Sequence, residues 1–226
     1  MNDKQLVAYQ AAAQVENGML VGLGTGSTAN YFIEELARRV TEENLQVTTV
    51  SSSVVSAIKA TELGLSMMAI EQVTQLDLYV DGADEVTPDL TLLKGQGADL
   101  VREKLLSKAS DQFIVLVDQS KLVNQIGDRF PIPVEVPPFA WRLVQRSLEQ
   151  QGGQGQLRQN ANKDGLAVTS HGSLVLDVEF EKSCDSATLN DLLNATPGVV
   201  EHGVFHNLAS VIYIAEDGQV KQRRPV

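Results

Sequence analysis

Three stretches of this chain place reactive side chains close enough to act together. Asp81-Gly82-Ala83-Asp84-Glu85 sets three carboxylates within five residues, directly after an apolar run. Crowded like charges repel, and their proton affinities spread apart, which suits a site that moves protons. The same stretch also reads as a solvated acidic turn. As a Mg²⁺ or Ca²⁺ site it is short of oxygen ligands.

Gly22-Leu23-Gly24-Thr25-Gly26-Ser27-Thr28 lies between an apolar run and a helical pattern. Glycines let a backbone approach a ligand closely. A helix start offers free N–H groups and partial positive charge, and Thr25, Ser27 and Thr28 add hydroxyls, so the stretch reads as a phosphate cradle. The alternative is a tight turn with a Ser or Thr cap. The spacing fits neither the dinucleotide fingerprint, which fails at Ala29-Asn30, nor a Walker loop, which needs Gly-Lys-Ser/Thr.

In Lys94-Gly95-Gln96-Gly97-Ala98-Asp99-Leu100-Val101-Arg102-Glu103-Lys104 a lysine precedes a glycine loop and a helix. Glu103 falls in the first or second turn, from which a carboxylate could reach back toward the loop. Taken alone, Arg102-Glu103-Lys104 is equally a charged helix surface. Ser51-Ser52-Ser53 follows a second apolar run and reads first as a helix cap, second as support for a ligand loop. Lys121 follows another strand-like run and is either an anion ligand or a surface lysine. Lys4 has the same ambiguity, near a terminus where mobility is common. His202 and His206 are interrupted by Gly203, His171 sits beside Gly172, and Cys184 has no base in its local segment, so none of them organises a site. There is no Gly-x-Ser-x-Gly elbow.

The elements that must hold these groups follow from periodicity. Strands are expected at Met19–Leu23, Val47–Val50, Leu76–Val80 and Phe113–Val117, and helices at Ser27–Val40, Val54–Leu63 and Asp99–Lys108. That alternation predicts a doubly wound, mainly parallel sheet, which binds ligands at the carboxyl ends of its strands. The pattern changes at Phe130-Pro131-Ile132-Pro133. Beyond it lie a strand (Val134–Val136), a helix (Trp141–Gln150), strands (Gly155–Arg158 and Leu174–Phe180), a helix (Ala187–Asn194) and a strand (Gly198–Glu201), with a polar loop over Gln151–Gln156. This βαββαβ order is a split-βαβ unit. Two further strands around Asp217-Gly218 are expected to return to the first sheet. The expected domains are an α/β domain of residues 1–129 and 203–226 and a small α+β domain of residues 130–202.

The 226 residues carry 18 Lys plus Arg against 29 Asp plus Glu, a formal charge of −11. That argues against nucleic acid or an anionic membrane as partner, and any anionic ligand would need a local basic pocket. One cysteine rules out an internal disulfide and fits a reducing compartment. No signal-peptide pattern or membrane-length apolar run is read, so a cytoplasmic location is expected.

Taken in order, Gly22–Thr28, Ser51-Ser52-Ser53, Asp81–Glu85, Lys94-Gly95-Gln96-Gly97 with Arg102-Glu103-Lys104, Phe130–Val136 and Pro197-Gly198-Val199-Val200 resemble the type A ribose-5-phosphate isomerase family over nearly the whole chain. The resemblance implies a Rossmann-like α/β domain beside a ferredoxin-like one. It implies interconversion of D-ribose 5-phosphate and D-ribulose 5-phosphate through an enediolate, without metal or other cofactor, in a homodimer or homotetramer. By the same resemblance, Thr25, Gly26, Ser27 and Thr28 form a substrate loop, with Ser27 and Thr28 near the phosphate. Asp81, Gly82, Ala83 and Asp84 form an acidic site loop, and Lys94, Gly95, Gln96 and Gly97 a second substrate loop. Glu103 is the proton acceptor and Lys121 a substrate lysine, with Lys4 a further phosphate-side candidate. Lys94 is the group expected to stabilise the enediolate, and Asp81 or Asp84 to move hydroxyl protons. Two positions depart from the family pattern: Gln96 replaces a glycine where the backbone could require one, and Asp99 replaces a small residue. Rival readings are a sugar-phosphate sensor, an amino-sugar phosphate deaminase, a CoA transferase and a nicotinamide-dependent dehydrogenase. The absence of an evident helix-turn-helix or basic patch in this acidic chain disfavours the sensor, the combined acidic loop and Lys94-to-Glu103 segment the deaminase and the transferase, and the missing fingerprint the dehydrogenase.

Overall fold

The computed structural model describes residues 2–180 and 184–225, which form two compact units. The first comprises Met1–Ala83, Arg102–Lys121 and Leu208–Val226, and the second Asp84–Val101 and Leu122–Asn207. The second unit thus takes in 84–101, 122–129 and 203–207 as well as the region expected to form the small domain.

The first unit opens with α1 (Asp3–Ala12), which the sequence reading did not anticipate. Asn2 accepts from the Gln5 N–H while the Gln5 side chain accepts from the Asn2 N–H, a capping box that secures the terminus. Val7, Ala8, Ala11 and Ala12 are buried, and small side chains at this spacing let α1 pack closely against its neighbours. There follow β1 (Leu20–Leu23), α2 (Ser27–Glu42), β2 (Thr48–Ser51), α3 (Val54–Glu62) and β3 (Leu76–Gly82). α4 (Leu100–Ala109) leads into β6 (Ser110–Asp118), and the chain ends with β12 (Val211–Glu216) and β13 (Gln219–Arg223).

These strands make a six-stranded sheet in the order β13-β12-β6-β3-β1-β2. All neighbours are parallel except the terminal hairpin β12–β13, so the last two strands do return to the first sheet. The chain runs from β1 outward to β2, then crosses back to place β3 on the other side of β1. The topological switch point is therefore between β1 and β3, where the crevice of such sheets receives ligands. Strand β3 runs to Gly82, two residues beyond the expected Val80, because its ladder with β6 continues to Gly82 opposite Leu116.

The second unit carries a three-stranded sheet of β4 (Glu85–Val86), β5 (Leu92–Leu93) and β11 (Val204–Phe205). It also carries β7 (Ile132–Val136), α5 (Trp141–Glu149), β8 (Gly153–Leu157), β9 (Leu174–Phe180), α6 (Ser186–Ala195) and β10 (Glu201–His202). The antiparallel order β10-β7-β9-β8 is that of a split-βαβ, ferredoxin-like sheet. Val144, Leu148, Leu189 and Leu193 of its helices pack with Val134, Leu176 and Val178.

Two boundaries differ from expectation for clear reasons. β7 starts at Ile132 and contains Pro133, whose carbonyl still accepts the Gly203 N–H at 2.8 Å. β8 begins at Gly153 inside the expected loop. A side chain there would crowd the Phe180 ring, so the glycine marks close packing and not a turn. Among the described residues, no helix is long and apolar enough to cross a membrane.

Candidate active site

The carboxyl ends of β1, β2, β3 and β6 carry four of the groups singled out by sequence: the glycine loop, the serine triplet, Asp81 and Lys121. The loop is bound to its neighbour strand at the outset, with the Gly24 N–H donating to Val80 O at 2.9 Å. Asp81 lies within β3, fully buried. Its Oδ1 accepts from the Thr25 N–H at 3.0 Å and the Gly82 N–H at 2.8 Å, and its Oδ2 from the Tyr79 hydroxyl at 2.6 Å. A side chain at Gly24 would overlap the Asp81 carboxylate, so the glycine is required by close approach.

Tyr79 is a residue the sequence reading passed over. Strand period places it on the same face as Asp81 two positions later, and that spacing was a readable signal. Its phenol is completely buried. Burial first, then the charges of Asp81 and Glu103, push its pKa well above the ordinary tyrosine value, so it stays a protonated donor. The charge of Glu103 therefore bears on the same buried phenol that holds Asp81. Glu103 sits in the first turn of α4 with only 5 % of its surface exposed, which is not the solvated surface position that its charged neighbours suggested.

The serine triplet divides two tasks. Ser53 caps α3, its Oγ accepting from the Ser56 N–H at 3.2 Å. Ser52 braces the glycine loop, its N–H donating to Leu23 O at 2.9 Å and its Oγ lying 3.1 Å from Thr25 Oγ1. Ser56 adds a bond from its Oγ to Gly24 O at 2.8 Å. Gly26, at φ 105°, occupies the N-cap of the sixteen-residue α2 and has no side chain with which to cap it. The first N–H groups of α2 thus have no side-chain cap and lie beside the exposed Ser27 and the half-buried Thr28, the arrangement that favours an anion. Lys4 comes from α1 to this point, its Nζ donating to Ser27 Oγ at 2.7 Å. Lys121 ends the short 3₁₀ turn that follows β6.

Asp84, Glu85 and Lys94 belong to the second unit. The Asp84 N–H donates to Leu93 O at 2.8 Å. Glu85 is fully buried and accepts from the N–H groups of Gly127, Arg129 and Phe130 at 2.7, 2.7 and 2.9 Å, so the third carboxylate of the acidic run anchors a backbone turn. Lys94 is 4 % exposed, with its Nζ 5.6 Å from the centre of the Phe205 ring. After it, the left-handed backbone positions are Gly95 at φ 94° and Ala98 at φ 63°, and Gln96 is not among them. Gln96 is exposed, its Nε2 donating to Pro131 O at 3.4 Å, so its side chain is accommodated without backbone strain.

The three histidines take other parts. Fully buried His202 pairs with Asn194 Oδ1 at 3.1 Å, His206 with Thr91 Oγ1 at 3.0 Å, and His171 Nδ1 lies 3.9 Å from Glu135. Burial and then the Asp185 charge push the Cys184 thiol up, which disfavours a reactive thiolate. No group of three or more His, Cys, Asp or Glu among the described residues is placed to hold a metal.

Residues 48–219 match the family profile of ribose 5-phosphate isomerase A (phosphoriboisomerase A). The chain is 45 % identical over 223 residues to the ribose-5-phosphate isomerase A of Thermosynechococcus vestitus, covering 97 % of this chain and 94 % of that one. It is also 45 % identical over 212 residues to that of Methanothermobacter thermautotrophicus, covering 94 % and 93 %. Among solved structures, ribose 5-phosphate isomerase A from Methanocaldococcus jannaschii superposes with a TM-score of 0.93 at 38 % identity, over 98 % of both chains. A D-ribose-5-phosphate isomerase in complex with phospho-erythronic acid superposes at 0.94 and 36 % identity, over 99 % of this chain and 100 % of that one. With a matching family profile and relatives aligned along almost its whole length, the chain belongs to the ribose 5-phosphate isomerase A family.

Proposed function

We propose that this protein interconverts D-ribose 5-phosphate and D-ribulose 5-phosphate through an enediolate intermediate. The observation that carries the reading is the near full-length match to the isomerase family. The relative with phospho-erythronic acid binds an aldonic acid phosphate, whose planar carboxylate mimics the charge of an enediolate.

In this reading the substrate phosphate takes the start of α2, with Ser27, Thr28, Lys4 and Lys121 around it. The Lys4–Ser27 bond supports placing a cation at that end. Glu103 removes the proton from the carbon next to the carbonyl and returns it to the neighbouring carbon. A positioned carboxylate contributes on the order of 10²–10⁴-fold. The rest of the barrier is met where charge develops, and Lys94 is assigned to the enediolate oxygen from its place in the family motif. Of the two aspartates, Asp81 is occupied by the Thr25 and Gly82 amides and the Tyr79 hydroxyl, which supports a role in shaping the glycine loop. Carrying the hydroxyl protons is assigned to Asp81 or Asp84 from their place in the family motif. The lone cysteine supports a cytoplasmic location, the family resemblance supports a homodimer or homotetramer, and light scattering of the purified protein measures the latter.

The test is an assay on ribose 5-phosphate with a chelator present, following ribulose 5-phosphate. Robust turnover supports the isomerase reading without an essential metal. Binding without turnover, by calorimetry, overturns it in favour of a sensor.

A further inference from the structure

We infer that Arg158, held by Asp177, is a positioning residue for the loop that follows Lys94. The inference rests on the isomerase reading of that loop as a substrate loop. Arg158 lies just past the end of β8, and its side chain is only 13 % exposed. Its guanidinium divides in two directions. Nε and Nη2 donate to Asp177 Oδ2 and Oδ1 at 2.8 and 2.5 Å, a bidentate fork that fixes the plane of the group. Nη1 then donates to two successive backbone carbonyls, Gly95 O at 3.1 Å and Gln96 O at 2.9 Å.

Two adjacent carbonyls drawn to one nitrogen determine the orientation of both peptide planes. In a trans peptide the N–H points opposite to the C=O. The amides of Gln96 and Gly97 are therefore turned away from Arg158, toward the other side of the loop, as a pair of oriented donors. The Gly95 carbonyl also accepts the Ala98 N–H at 3.1 Å, so its peptide keeps one bond without the guanidinium. The Gln96 carbonyl would then face the Asp177 carboxylate, and the Gln96–Gly97 peptide would gain by turning over, with Gly97 supplying the backbone freedom. The same clamp explains how Gln96 stands in place of a glycine: the loop is held through its backbone, and the side chain points outward.

The test compares wild type, R158A, R158K and D177N. Kinetics on ribose 5-phosphate, melting temperature and hydrogen exchange of the peptide covering residues 94–99 are measured for each. R158A is expected to lose about 10–10²-fold in kcat/KM, the scale of a small displacement of binding groups, measured well below its melting temperature so that any loss of stability is separated from the loss of rate. Free guanidinium should restore part of that loss in R158A and do nothing for wild type. R158K, a point charge without the fork, should stay closer to R158A than to wild type. Exchange at 94–99 should quicken in both Arg158 variants. A kcat/KM for R158A within twofold of wild type overturns the inference, as does a loss that only follows a lower melting temperature with no rescue. If R158A does not fold, the same readouts on R158K and D177N decide. If wild type itself does not turn over ribose 5-phosphate, the isomerase reading fails, and unchanged exchange at 94–99 would independently overturn the clamp.

Discussion

The hydroxyl of Tyr79 donates to Oδ2 of Asp81 across 2.6 Å, both residues fully buried on one face of β3. Through Asp81 Oδ1 the contact extends to the Thr25 N–H, so a phenol in the sheet interior helps set the shape of the glycine loop. Replacing Tyr79 with Phe leaves the ring in place and removes one donor from a buried carboxylate. The expected cost is about 1–3 kcal/mol of stability, with a fall in kcat/KM on ribose 5-phosphate. Chemical denaturation and steady-state kinetics check it, and an unchanged variant would mean that the loop holds its shape without the phenol.

The same phenol predicts alkaline behaviour. Its proton is held more tightly in the folded protein than in the unfolded chain. Stability from this group is therefore complete below the unfolded tyrosine pKa of about 10 and is lost as pH rises toward the folded value, at up to about 1.4 kcal/mol per pH unit. Tyr213, also raised by burial, adds to the slope. Denaturation curves from pH 8 to 11 should steepen for wild type and flatten in Y79F. A Y79F profile parallel to wild type would assign the effect elsewhere.

Glu103→Gln should keep substrate binding and lose roughly 10²–10⁴-fold in kcat, because the amide cannot take the proton. Calorimetry on the variant separates binding from chemistry. A near-normal kcat would remove Glu103 from the base role.

Lys4→Ala and Lys121→Ala should act mainly on KM, each raising it about tenfold, the low end for a charge-assisted hydrogen bond at a wet site. The control is binding of unphosphorylated ribose, which neither change should weaken. A large fall in kcat at constant KM would place the lysine at the reacting end of the sugar.

Gly24→Ala puts a methyl group into the Asp81 carboxylate. Either β1 or the loop must shift, at about 1–3 kcal/mol, and activity should drop with it. Thermal melts with kinetics test this, and a variant with wild-type stability would show that the loop yields freely.

Much of the protein was legible in its residue order. Alternating apolar runs and helical spacing located most elements to within a few residues, because burial imposes periods of 2 and 3.6 on the chain itself. The glycine loop, the acidic stretch and the Lys94-to-Glu103 segment were readable because their glycines, hydroxyls and charges lie close together in sequence. α1 was missed, since its buried face is made mostly of alanines, and so was the start of β8 at Gly153, whose glycine serves packing. Tertiary structure alone decided the rest. The strand order that puts the switch point between β1 and β3 depends on how non-local strands pair. The partition of the acidic run, with Asp81 on the glycine loop and Glu85 on a turn 42 to 45 residues away, depends on backbone amides that no spacing reveals. Lys4 meets Ser27, and Arg158 meets Gly95 at a separation of 63 residues, for the same reason: hydrogen bonds across long stretches of chain are set by the packing of whole elements, and local patterns carry no record of them.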